Sequence, residues 1–424
     1  MFRARQFTAK TCLVAAFALA MAMSGNAAQA NSERVLHTFN YQKDGAVASG
    51  LIADRDGNLY GTNYGGGRKG YSGLGTVFGL APDGTYTVLY KFTAKLKNGN
   101  SPASGLARDK AGNLYGTTQD GGAGYDICYD FGCGTIFKLA PDGSETVLHK
   151  FKFSDGAFDG AEDNNTPILD ADGNLYGTTS HGGNQSCYEG CGVVYKLTPK
   201  GKLTVLHSFN GDDGANPSGP LIADANGDLY GTTWNGGDSH NCTGASCGVI
   251  FELAADGTFT VLHSFQESDG AAPFGPLVRD AEGNLYGSTI GGGDNSCDSD
   301  GDGCGVVFKL APDGTLTVLH KFTGGSDGGF PQDGLIADGS GNLYGTTVSG
   351  GIPDCVVGGL IGCGVVFTFA PDGTETVLHS FDDNNGGYDT GEGPLIMDKR
   401  GNVYGTTWDG GANGDGTIFE VKTK

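Results

Sequence analysis

Asn113-Leu114-Tyr115-Gly116-Thr117-Thr118 decides the fold, because the phrase recurs with small changes along the chain. Its tyrosines are Tyr60, Tyr115, Tyr176, Tyr230, Tyr286, Tyr344 and Tyr404, spaced 55, 61, 54, 56, 58 and 60 residues apart. A nearly constant period of this size marks seven copies of one supersecondary unit, with the variation confined to loops.

Each unit reads as four strands. A short apolar segment such as Leu51-Ile52-Ala53 is the innermost, and it ends on the aspartate of an Asp-x-x-Gly turn such as Asp54 to Gly57. Such an aspartate accepts backbone N–H bonds while glycine takes positive φ, so a hairpin explains the motif better than a calcium loop lacking its far-end carboxylate. The tyrosine phrase is the second strand, a Gly-x-Val-Phe-like segment such as Gly305 to Phe308 the third, and Thr-Val-Leu-His-x-Phe, as in Thr317 to Phe322, the fourth. Pro312-Asp313-Gly314 and its equivalents join the last two as a tight turn. The seventh unit has no fourth strand after Thr417, whereas Val35-Leu36-His37-Thr38-Phe39 stands alone near the N-terminus. Six complete units and one split between the chain ends predict an all-β, seven-bladed β-propeller of four-stranded antiparallel blades, closed by the N-terminal strand.

Both tight turns of a blade fall on one face of such a ring. All variation in length then falls on the opposite face, which is where function is expected. Five pairs of cysteines lie there between second and third strands: Cys128 and Cys133, Cys187 and Cys191, Cys242 and Cys247, Cys297 and Cys304, Cys355 and Cys363. Their regular placement reads as five local disulfides rather than as zinc sites.

Residues 1–30 read as a secretory signal, with Arg3, Arg5 and Lys10 before an apolar run from Cys12 to Met23 and a small-residue site at Ala28-Gln29-Ala30. That run is too short to span a bilayer. The mature chain, residues 31–424, is therefore expected in the periplasm or outside the cell, as a monomer with no membrane span. Removing three bases takes the formal charge from -22 to -22 - 3 = -25. So acidic a surface excludes nucleic acid and anionic lipid, and accepts cations, neutral polysaccharide or a protein partner.

Six histidines, His37, His149, His207, His263, His320 and His379, share one position on the fourth strand and are read as structural. The other two, His181 and His240, fall in neighbouring variable loops with Glu189 and Asp238, the acid-base set that an enzyme would use. At the ends of second strands stand Tyr64, Trp234 and Trp408, flat rings suited to stacking on a sugar or anchoring a protein. Asp298, Asp300 and Asp302 open a calcium-type loop, although Lys309 holds the position where such a loop needs glutamate. Calcium is the one cofactor that the sequence suggests. There is no P-loop and no His-Glu-x-x-His. The reading is a secreted binding scaffold for a glycan or protein, with a metal-assisted lyase or hydrolase at the His181/His240 region as the alternative.

The run Gly-Asn-Leu-Tyr-Gly-Thr-Thr, then Gly-x-Val-Phe-Lys-Leu-Ala-Pro-Asp-Gly-Thr and Thr-Val-Leu-His, resembles the GloVer tandem repeat of secreted bacterial proteins over Val35 to Val421. The resemblance implies an extracellular, propeller-like array and supplies no catalytic residues. The cysteine reading has a direct test: thiol titration of the unfolded, unreduced chain from Asn31 should find no free thiol, and a substantial signal would refute the pairing.

Overall fold

In the computed structural model, residues 33–423 are described except 68–73, 94–97, 123–131, 155–156, 162–164, 185, 188–189, 238–246, 295–302, 354, 358–359 and 383–392. The expected signal lies outside them. The chain forms seven four-stranded antiparallel blades, each a meander from an inner to an outer strand. Blade two is representative, with strands Ala107–Arg108, Leu114–Thr118, Thr135–Leu139 and Glu145–Lys150. In blade seven the strands Ile396–Met397, Val403–Thr407 and Thr417–Val421 are completed by Glu33–Thr38, pairing Glu33 with Val421 and Thr38 with Thr417. The propeller closes as the split repeat requires. No helix among the described residues is long and apolar enough to cross a membrane.

The inner hairpin is held by its own aspartate. Asp109 accepts bonds at Oδ1 from the amides of Ala111 and Asn113, and at Oδ2 from the Asn113 side chain and the Tyr115 hydroxyl. The same pattern surrounds Asp54, Asp170, Asp338 and Asp398. Blade four replaces the asparagine with Asp228, and Tyr230 turns to Glu252 at 2.9 Å. Tyrosine and asparagine recur because they complete a turn, and every oxygen of the aspartate is used in doing so.

The core lies between blades rather than at one centre. Seven buried clusters each join residues of two adjacent blades. At every junction the phenylalanine ending one outer strand meets the third-strand aromatic of the next blade. These pairs are Phe39–Phe78, Phe92–Phe137, Phe151–Tyr195, Phe209–Phe251, Phe265–Phe308, Phe322–Phe367 and Phe381–Phe419, with centroids 5.1–5.7 Å apart. The tyrosine phrase carries glycine because that aromatic lies across it: a Cβ on Gly61 would meet the Phe78 ring at 2.6 Å.

Three features go beyond the repeat reading. Each outer strand slips register by one residue before its histidine, or before Tyr90 in blade one, as between Val147 and His149 in blade two. Such a bulge bends the strand and re-aims the side chains that follow. The histidines then act as struts: His37, His207, His263 and His320 reach Asp44, Asp213, Asp269 and Asp327 of the inter-blade loop at 3.0–3.3 Å. Finally, the chain enters five inner strands through a non-glycine residue at positive φ: Val47, Ser101, Asn216, Ala272 and Phe330. The amides of the last four donate to Leu74, Cys191, Cys247 and Cys304 of the preceding blade.

Cys187–Cys191 and Cys355–Cys363 are disulfides, with Cα atoms 5.1 and 5.7 Å apart. Cys133, Cys247 and Cys304 are also disulfide-bonded. Their expected partners Cys128, Cys242 and Cys297 lie outside the described residues.

The turn aspartates set the acid stability. Burial alone would raise the Asp109 carboxyl, but the bonds from Asn113, Tyr115 and Ala111 outweigh it and leave the group below its ordinary value. Asp54, Asp170, Asp280, Asp338 and Asp398 are lowered in the same way. A depressed folded-state pKa stabilises fully above the unfolded value and is lost as pH falls through the folded one. Melting temperature should therefore hold down to about pH 4 and drop steeply below it. Asp109→Ala should cost about 1–3 kcal/mol at neutral pH and flatten part of that acid limb, measured by calorimetry across pH; an unchanged acid limb would contradict the assignment.

Candidate functional site

In six of the seven phrases, all but that of blade one with its Asn63, the second threonine marks where a variable loop begins. Thr233 Oγ1 donates to the Asn235 carbonyl at 2.7 Å and accepts the Val249 amide from the third strand at 3.2 Å. The hydroxyl thus ends the regular ladder, and the next residue is turned outward. Thr118, Thr179, Thr289, Thr347 and Thr407 make the equivalent bond to a carbonyl two residues on. Trp234 emerges at such a point and is 37% exposed.

A cavity of about 470 Å³ opens there, lined by blades three to seven. Trp234 and Phe274 form an apolar wall, the two rings edge-on at 90° with centroids 5.5 Å apart. His181 enters from blade three and Asp333 from blade six. The polar part is a chain of amides: Asn235 donates to Asn216 Oδ1 at 3.1 Å, and Asn216 donates to the Ser180 carbonyl at 2.9 Å. Asp333 is buried, accepting from Thr346 Oγ1 at 2.6 Å and from the Gly393 amide at 3.2 Å, which ties blade six to blade seven. Aromatic faces beside fixed amides and a carboxylate can hold a polyhydroxylated ring by stacking and directed hydrogen bonds.

The structure thus brings His181 and Trp234 to one cavity. Tyr64, 38% exposed at the equivalent strand end of blade one, does not line it. Neither does Trp408 of blade seven, which is half-buried with its indole N–H sealed from solvent and unbonded among the described residues. Glu189, Asp238 and His240 lie outside the described residues, as do Asp298, Asp300 and Asp302. His181 itself belongs to a small three-stranded sheet of Phe153–Ser154, Ala157–Ala161 and His181–Gly183, in which its pairing with Ala161 repeats that of Asn235 with Ala215 in blade four and of Gly291 with Ala271 in blade five. Gly324-Gly325-Ser326-Asp327-Gly328 has the spacing of a hydrolase nucleophile elbow, but it forms an inter-blade loop tied by Asp327 rather than a strand-to-helix turn.

Sequence reasoning missed Phe274, Asn216, Asn235 and Asp333. A signal for two of them was present: the residue before the inner-strand glycine is Ser49, Ser104 and Ser218 in blades one, two and four, but Phe274 and Asp333 in blades five and six. Departure from the repeat at a structurally constant position marks the side chains that the scaffold does not need.

The model of the Gloeobacter/Verrucomicrobia repeat matches residues 22–162, 129–356 and 246–424. No curated protein matches the sequence. Among solved structures, the chain is similar to an extracellular domain assigned to the hybrid two component system BT3049 of B. thetaiotaomicron, at 12% identity and TM-score 0.56, over 93% of this chain and 41% of that one. It is also similar to an extracellular domain assigned to the one component system BT4673 of the same organism, at 13% identity and TM-score 0.50, over 90% of this chain and 40% of that one. The chain therefore spans about two fifths of each structure, and at these identities the likeness is one of fold.

Proposed function

The chain belongs to the Gloeobacter/Verrucomicrobia repeat family, and we propose that it is an extracytoplasmic binding scaffold whose variable face takes a neutral glycan. The observation that carries this reading is the 470 Å³ cavity with Trp234 and Phe274 on one wall and the Asn216–Asn235 amide chain beside them. Its size suits a small ligand, and its concavity suits a flat protein partner less well. A net charge of -22 disfavours acidic polysaccharide. The disulfides suit an oxidising compartment, and the extracellular setting of the two similar domains fits the same compartment.

A lyase or hydrolase reading retains one observation, the place of His181 on the cavity wall. Turnover of an identified glycan that is lost in His181→Ala would move the assignment there.

The test uses Trp408→Phe, which leaves Trp234 as the lone indole of the mature chain. Its fluorescence should shift saturably with neutral oligosaccharides and much less with acidic ones. Trp234→Ala, followed by calorimetry in the wild-type background, should weaken binding by about tenfold or more. Saturable binding that survives Trp234→Ala and Phe274→Ala together, or no response to any neutral glycan, would overturn the proposal.

A further inference from the structure

At one blade junction the histidine strut to a loop aspartate is joined by a third group. His320, near the end of the outer strand Leu316–Lys321 of blade five, lies with its Nε2 3.2 Å from Asp327 Oδ2 and 3.7 Å from Glu375 Oε2. Asp327 belongs to the loop entering blade six, and Glu375 opens that blade's outer strand Glu375–Ser380. The three donor atoms lie within 4.8 Å of one another, and the side chains are 16–22% exposed.

We propose that His320 Nε2, Asp327 Oδ2 and Glu375 Oε2 form a site for a zinc-class divalent cation that clips blade five to blade six. Four-coordinate zinc, with bonds of about 2.0–2.1 Å, places neighbouring donors about 3.3 Å apart. The histidine-centred distances bracket that spacing, and small side-chain movements bring the two carboxylates to it. One imidazole with two carboxylates leaves a position for water and suits zinc better than calcium, which takes six or more oxygens.

Comparison with the other junctions supports the assignment. His37 and His207 bond to their loop aspartates but stack on Tyr86 and Phe259, the residues that replace glutamate at the start of the next outer strand. Among the described residues those sites offer two donors only. Glutamate opens two other outer strands: Glu145 of blade two meets the neutral donors Tyr90 and Asn98 at 3.3 and 3.2 Å, and Glu33 of blade seven lies 3.6 Å from His379. What sets Glu375 apart is that it shares His320 with a second carboxylate, Asp327, while its Oε1, like that of Glu145, is sealed from solvent with no hydrogen-bond partner among the described residues. Two carboxylates converging on one imidazole are a charge conflict that a divalent cation removes. Phe322 and Phe369 hold the imidazole in place, with centroids 4.8 and 5.2 Å away.

The test is calorimetric titration of the chelator-stripped, tag-free chain from Asn31 with zinc chloride, paired with melting curves. Wild type should bind one equivalent and melt at a higher temperature with zinc, and calcium should leave the melting temperature unchanged. Glu375→Leu, which installs a residue already present at this position in blades three and five, should fold normally and weaken zinc binding by about tenfold or more. His207→Ala should leave zinc binding intact. The absence of saturable zinc binding by wild type, or binding of equal strength in Glu375→Leu, would overturn the assignment.

Discussion

Everything in this ring depends on one contact made seven times, a phenylalanine at the end of an outer strand meeting the third-strand aromatic of the next blade. Each pair closes the junction to solvent, and an aromatic pair contributes about 0.5–1.5 kcal/mol beyond the burial of its area. Because a blade has no core of its own, its stability is borrowed from two neighbours. The geometry of the contact explains the repeat: glycine must face the ring, the bulge must aim the phenylalanine across the junction, and the histidine must brace the loop leading to the following blade. Phe39–Phe78 and Phe381–Phe419 complete the circle across the split blade with centroids 5.5 and 5.1 Å apart.

That arrangement separates the molecule into two faces with different obligations. On the face of the tight turns, aspartate oxygens are fully committed and little can vary. On the other face, threonine hydroxyls end the second strands and hand the chain to loops that no inter-blade contact prescribes. Trp234 and Phe274 can meet there because each comes from a different blade, at positions where the repeat elsewhere has Tyr64 or Gln119, and Ser49 or Ser104. The blades provide rigidity, and their departures from one another provide chemistry.

The number of blades, their strand order, the shared closing blade and the structural standing of the six histidines were legible in the sequence, because each follows from periodicity and from the turn chemistry of aspartate, proline and glycine. The bulge at Leu148 and its equivalents was not, since a single extra residue leaves the strand's composition unchanged. The left-handed backbone at Val47 and Phe330 was hidden for a related reason, as no residue preference announces it. Candidate sites were legible only in part. Trp234 and His181 stood out by type and Asp333 by its departure from the repeat, whereas Asn216 gains meaning from Ser180 one blade away. The meeting of His320 with Glu375 is of the same kind, joining residues 55 apart. Repeat position identified each as ordinary; their juxtaposition makes them different.

The central claim is that the ring is a single closed circuit whose last blade is completed by the N-terminal strand. Calorimetric unfolding of the chain from Asn40, compared with the chain from Asn31, tests it most directly. Phe39 is wholly buried, and loss of such a side chain alone costs about 3–5 kcal/mol. The account predicts that the truncated chain melts well below the longer one and loses hydrogen-exchange protection first in Thr417–Val421, the strand left without its partner. Equal melting temperatures, with that strand still protected, would contradict it.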